Sequence, residues 1–133
     1  MQLRDFLPLW PFSGCSGSCT VAVFLWNFYF IMEYVRLGKT NLLISRVAFG
    51  ALKLTDAANE DDAALIVRKA YESGINFFDT SRKNPGSEKL LGDALYDIRR
   101  NVFLSTATDS LSANEIREDL ETSLMTLHCD RVD

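Results

Sequence analysis

An α/β fold with a parallel sheet is predicted by three features of this sequence. Short apolar runs of strand length alternate with amphipathic helices from about residue 34 to the last residue. The helices carry recognisable start and stop signals, and the runs between them are too short to be helices. The chain has 133 residues, of which 47% are hydrophobic and 24% charged, enough for one domain with its own core.

An apolar leader of residues 1–31 precedes this pattern. No charged side chain occurs from Phe6 to Met32, and the most apolar part, Val21 to Met32, is interrupted only by Asn27. As a helix that part would reach roughly 18 Å, short of the ~30 Å hydrocarbon core of a bilayer. A signal or anchor with Arg4 as its basic region is one reading. Another places the start at Met32 and treats residues 1–31 as upstream translation. A lipoprotein signal at Cys15 fails, because the longer apolar run follows that cysteine.

From Met32 the elements follow in order. Tyr34–Leu37, Gly38–Asn41 and Leu42–Ser45 read as strand, turn and strand. Val47–Gly50 is a short apolar strand closed by glycine. Glu60 to Ser73 predicts a helix, with Glu60, Asp61 and Asp62 at the end where the helix dipole favours anions. Its expected buried stripe is Ala63, Ile66, Val67, Ala70 and Tyr71, and Gly74 is its stop. Ile75–Phe78 is the next strand. A helix from about Ser87 to Tyr96 would bury Leu90, Leu91, Ala94 and Leu95, and Arg99–Arg100 are expected as helix-end charges. Val102–Ala107 is a third core strand. Ser112 and Glu115 form a capping box, with Leu111 and Ile116 as a hydrophobic staple. The helix they open is expected to bury Ile116, Leu120, Ser123, Leu124 and Leu127. Arg131–Asp133 reads as the start of a further strand.

This alternation suits an eight-stranded βα barrel, which takes about 250 residues. It also suits an open doubly wound sheet, although no glycine-rich nucleotide loop follows the first strand. The net charge of −4 and the pI near 5.0 exclude a nucleic-acid surface, which needs clustered Lys and Arg. Cys15, Cys19 and Cys129 are an odd count without a zinc-like second pair, so no metal site is expected and reduced thiols are.

The stretch Gly74–Gly92, GINFFDTSRKNPGSEKLLG, is the richest in chemistry. Functional groups in α/β folds collect where strands end and loops begin, which makes Asp79 the first candidate site residue.

Four stretches carry a family resemblance. MEYVRLGKTNLLISRVAFGALKL is similar to the opening of the aldo/keto reductases, where a β-hairpin closes the barrel bottom. GINFFDTSRKNPGSEKLLGDAL resembles their second strand, catalytic loop and second helix. RRNVFLSTATDS resembles the third strand, and IREDLETSLMTLHCDRVD the third helix leading into the fourth strand. The resemblance runs from Met32 to Asp133. It implies a partial (β/α)8 TIM barrel: the N-terminal hairpin, about three βα units and the start of a fourth strand. It also implies an NADP-dependent oxidoreductase acting on a small carbonyl substrate.

In that family hydride moves from NADPH while a tyrosine donates the proton. A nearby lysine eases ionisation of the phenol, a carboxylate holds the lysine, and a histidine orients the carbonyl oxygen. The resemblance places the aspartate at Asp79. The tyrosine position falls on Asn84, whose carboxamide cannot donate a proton at any useful pH. The lysine position falls on Ala107, and the histidine position lies past Asp133. His128 precedes the fourth strand and is expected on the surface. Arg82 or Lys83 is a candidate to supply the missing cation; solvated loop charges are the bland alternative for both. Gly50, Ala51, Leu52 and Asp79 match the backbone and carboxylate near the nicotinamide ribose.

Three functions stay open on this reading: part of a carbonyl reductase, a divergent non-catalytic interaction module, and a remnant reading frame. The chain as given is expected to be inactive alone and to bind NADP(H) weakly or not at all. Self-association through open sheet edges is expected. A cytoplasmic location follows from the family, and membrane association only from a real anchor in residues 1–31.

Overall fold

The computed structural model describes residues 32–133. The leader of residues 1–31, its start-site, signal and anchor readings, and Cys15 and Cys19 all lie outside the described residues.

Two short strands, β1 (Tyr34–Arg36) and β2 (Leu43–Ser45), form an antiparallel hairpin with Tyr34 opposite Ser45. The turn between them uses Gly38 at φ 55°, a conformation glycine adopts without steric cost. The Leu37 N–H donates to the Leu42 carbonyl at 3.0 Å and closes it. A parallel sheet then forms from β3 (Phe49–Gly50), β4 (Phe77–Asp79) and β5 (Phe103–Ser105), in the order β3-β4-β5.

Helices connect successive strands. A 3-10 helix, Ala51–Asp56, and α1 (Glu60–Glu72) join β3 to β4. Helix α2 (Pro85–Leu95) and a second 3-10 helix, Tyr96–Asn101, join β4 to β5, and α3 (Ala113–Thr126) follows β5. Strand order therefore advances in one direction with a helical crossover at each step. Three strands advancing this way are the arrangement of a βα barrel, and equally of one half of a doubly wound sheet.

Local signals set the helix ends. Asn59 caps α1 by accepting from the Asp62 N–H at 2.8 Å, and three acidic residues occupy the first turn. At α3 both halves of the capping box are present: Ser112 Oγ accepts from the Glu115 N–H, and Glu115 accepts from the Ser112 N–H, each at 3.3 Å. Leu111 is almost wholly exposed, however, so the predicted staple does not form.

The hairpin is fastened beneath the N-terminal end of β4. Asn76 accepts from the Ser45 N–H at 2.6 Å and donates its own N–H to Ser45 Oγ at 3.1 Å. Tyr34 donates its hydroxyl to the Gly74 carbonyl at 2.9 Å. Gly74 sits at φ 93°, and a Cβ there would lie 2.8 Å from Met32 Cβ, so glycine is required twice over.

The core lies between the sheet and its helices. Phe78 and Leu104 of the sheet meet Ala63 and Val67 of α1, Leu91, Ala94 and Leu95 of α2, and Leu127 after α3. Burying a side chain such as Phe78 contributes about 1.5–3 kcal/mol. Helices α2 and α3 approach most closely at Gly92, where a Cβ would stand 2.7 Å from Leu127 Cα and 2.8 Å from the Thr126 carbonyl.

Several expected burials are corrected. Ile66 of α1 is half exposed, because only Ala63 and Val67 point at the sheet while Ala70 and Tyr71 are partly covered. On α3, Ile116 is 43% and Leu120 41% exposed; Ser123 and Leu127 are the buried pair. The described residues place no further βα unit against that face of α3.

Arg131–Asp133 is not a strand, although it lies along the outer edge of β5. The Asp133 N–H donates to the Leu104 carbonyl at 2.9 Å, and its carboxylate accepts from the Leu104 N–H at 3.0 Å. Arg99 stands with Arg100 in the last turn of the second 3-10 helix, as expected of a helix-end charge, and it also clamps this segment by donating to the Arg131 carbonyl and the Asp133 carboxylate. Burial pushes the Asp133 carboxyl up, and the Leu104 N–H with the Arg99 guanidinium outweighs it, leaving the group below its ordinary 3.8. Among the described residues, no helix is long and apolar enough to cross a membrane.

Candidate active site

The register of the sheet sets the candidate residues side by side. Gly50 pairs with Asp79, and Asp79 pairs with Ser105, all at the C-terminal ends of their strands. Asp79 is half-buried, and its carboxylate has no hydrogen-bond or ion-pair partner among the described residues. Gly50 is exposed, and a Cβ on it would meet open space. Ala51 is buried beneath the 3-10 helix, while Leu52 faces outward.

Asn84 has a clear local task. It is the N-cap of α2, accepting from the Ser87 N–H at 3.2 Å, with Pro85 at the first helical position. Its amide donates to the Leu52 carbonyl at 2.8 Å. Ala107 is exposed, and its carbonyl accepts from the Arg82 N–H at 2.8 Å and from Ser81 Oγ at 3.1 Å. Ala107 is thus a backbone anchor for the loop after β4.

Neither candidate cation reaches Asp79. Lys83 pairs with Asp109 on the surface. Arg82 is not a solvated loop charge: its side chain is only 18% exposed and pairs with Glu88. The idea that either supplies Asp79 with a counter-charge is therefore corrected.

Glu88 is the residue sequence reasoning passed over. It is fully buried on α2 and accepts hydroxyl donors from Thr106 at 2.9 Å and Ser123 at 2.8 Å besides pairing with Arg82. One carboxylate thereby ties together the loop after β4, the end of β5, and α3. Its place on the inner stripe with Leu91, Gly92 and Leu95, at i+3, i+4 and i+7, was the available signal. Nearby, Asp119 accepts from Thr108 and Ser110, hydrogen bonds that hold its carboxyl below the ordinary value.

His128 lies away from this edge. It is exposed, as expected, and its Nε2 is 2.9 Å from Asp93. The Lys89 hydrogen bond and then the His128 contact hold Asp93 below the usual carboxylate range. Among the described residues, no group of three or more His, Cys, Asp or Glu could hold a metal ion.

The aldo/keto reductase family model matches residues 46–133. The chain belongs to that family. L-galactose dehydrogenase of Arabidopsis thaliana is 38% identical over 116 residues, covering 77% of this chain and 36% of that protein. A probable voltage-gated potassium channel subunit beta from Oryza sativa is 29% identical over 117 residues, with the same two shares. Among solved structures, the holo form of aldo-keto reductase AKR11C1 from Bacillus halodurans superposes with a TM-score of 0.69 at 27% identity. That match covers 77% of this chain and 38% of the other. The chain therefore spans little more than a third of the length of the curated relatives it matches.

In the loop after β4, the described residues offer no unpaired cation for the pyrophosphate of NADPH. Its pyrophosphate needs cationic or N–H donors. Arg82 and Lys83, the cations of the loop after β4, are already paired with carboxylates. No hydride step is derived through the cofactor.

Proposed function

We propose that residues 32–133 are a divergent N-terminal part of an aldo/keto reductase barrel that does not reduce carbonyls by itself. One observation carries this reading: both partners of the aspartate relay have other tasks. The residue at the tyrosine position caps α2, and the residue at the lysine position offers only its backbone. An amide and a methyl group supply neither a proton nor a cation. The pairing of Arg82 with Glu88 supports the same conclusion, since no nearby charge replaces the lysine.

NADP(H) remains the cofactor the family implies, with Gly50, Ala51, Leu52 and Asp79 as the ribose-side positions. The substrate of the complete family would be a small carbonyl compound. A second reading is an interaction module that keeps the scaffold. It is supported by the half-exposed Ile116 and Leu120 on α3, and by a relative named as a channel subunit. Self-association through the sheet edges belongs to this second reading.

The test uses the whole chain with NADPH and simple aldehydes. The expected result is no turnover above the enzyme-free rate and no saturable NADPH fluorescence change at micromolar protein. Turnover that disappears in Asp79→Asn would refute the first reading. A self-association constant in the micromolar range by analytical ultracentrifugation would support the second.

A further inference from the structure

The first turn of α2 grips the loop after β3 at three successive points. The Asn84 amide donates to the Leu52 carbonyl at 2.8 Å. Ser87, fully buried, donates its hydroxyl to the Ala51 carbonyl. Between them, Gly86 brings the backbone so close that a Cβ would lie 3.0 Å from Thr55 Cγ2. Residues 84, 86 and 87 thus hold residues 52, 55 and 51, three of the first five positions of the 3-10 helix Ala51–Asp56.

Such short helices have poorer hydrogen-bond geometry than α-helices and depend on outside contacts. This one follows a two-residue strand and carries exposed Leu52 and Lys53, so little of its own burial holds it. Ala51 and Leu54 are its only buried side chains.

We infer that Asn84, Gly86 and Ser87 form a latch that locks the first βα loop onto the head of α2. Closed, the latch places one donor on each of the two carbonyls that follow Gly50, those of Ala51 and Leu52. Asn84 is then a positioning residue with two separable duties. Its carbonyl oxygen caps α2, and its N–H donors hold the loop. This inference does not depend on whether the chain reduces carbonyls.

Asn84→Asp separates the duties. The carboxylate still caps α2 and suits the positive end of the helix dipole, but it has no N–H for the Leu52 carbonyl. Native-state hydrogen exchange on the whole chain reads the loop through the Ala57 amide, which donates to Leu54 at 3.2 Å. Amides of α1 serve as the internal reference.

The latch predicts that Asn84→Asp speeds Ala57 exchange about tenfold, the population change from losing one net hydrogen bond. Exchange in α1 and the first turn of α2 should stay at wild-type rates. Gly86→Ala keeps the cap and should speed Ala57 exchange in the same local way by pushing on Thr55. Wild-type protection of Ala57 in both variants overturns the inference, because Asn84 would then be a cap and nothing more.

Discussion

Replacing Glu88 with alanine is the most informative perturbation of the site's supporting structure. Glu88 is fully buried, and its loss leaves the Arg82 guanidinium, itself 18% exposed, without its partner. Removing one member of a buried ion pair typically costs about 3–5 kcal/mol. The Thr106 and Ser123 hydroxyls also lose their acceptor, each at about 1–3 kcal/mol if no water replaces it. Relaxation of the Arg82 side chain toward solvent recovers part of this, so a net loss of about 3–5 kcal/mol is expected. Domains of this size are stable by only about 5–15 kcal/mol, and the variant should sit near its folding threshold. Urea unfolding followed by far-UV circular dichroism measures it, provided the slope m is unchanged. Arg82→Met added to Glu88→Ala should restore about 1–3 kcal/mol, because the unpaired buried charge is gone. A single-variant loss below about 1 kcal/mol, or strict additivity in the pair, would show that the carboxylate is not the hub described.

Other perturbations test neighbouring features. Gly92→Ala forces a methyl against the Leu127 and Thr126 backbone and should destabilise by about 1–3 kcal/mol; a neutral result would mean α2 and α3 are not in that contact. Asp93, Asp97, Asp119 and Asp133 are all held below the ordinary aspartate value of 3.8. Their contribution is complete above that value and is lost as pH falls through the lower folded values, so the urea midpoint should fall steeply only below about pH 4. Asp119→Asn should flatten that acid limb, and an unchanged limb would remove Asp119 from the explanation. Asn84→Tyr with Ala107→Lys restores the side chains of the relay, yet no NADPH-dependent turnover is expected, because the loop after β4 still offers no unpaired cation for the pyrophosphate. Turnover by this double variant would contradict the fit argued above.

Much of the fold was legible because it rests on local signals. The Ser112–Glu115 box, the acidic start of α1, Gly74 at its end and the apolar runs at β4 and β5 each act within a few residues. That Gly50 and Asp79 each end a strand was legible locally, while their nearness came from the family resemblance. The misses involve long-range partners. Glu88 lies on the inner stripe of α2, but only the convergence of Arg82, Thr106 and Ser123 from three other segments gives it a role. Arg99 is at a helix end as its sequence position suggests, but its clamp on the residues beside β5 spans more than thirty residues and has no local signal. Ile116 and Leu120 read as core because periodicity reports which face is apolar, and cannot report what lies opposite. Both 3-10 helices were missed, since three-residue periodicity over six residues leaves no clear apolar stripe.

The most direct test of the divergent relay is isotope transfer. The whole chain is incubated with NADPH deuterated at the transferable position and an activated aromatic aldehyde, and the alcohol is analysed by mass spectrometry. The proposed placing of Asn84 and Ala107 at the tyrosine and lysine positions predicts no deuterium in the alcohol beyond the enzyme-free control. Deuterium incorporation that vanishes in Asp79→Asn would show that Asp79 still serves a working reductase site.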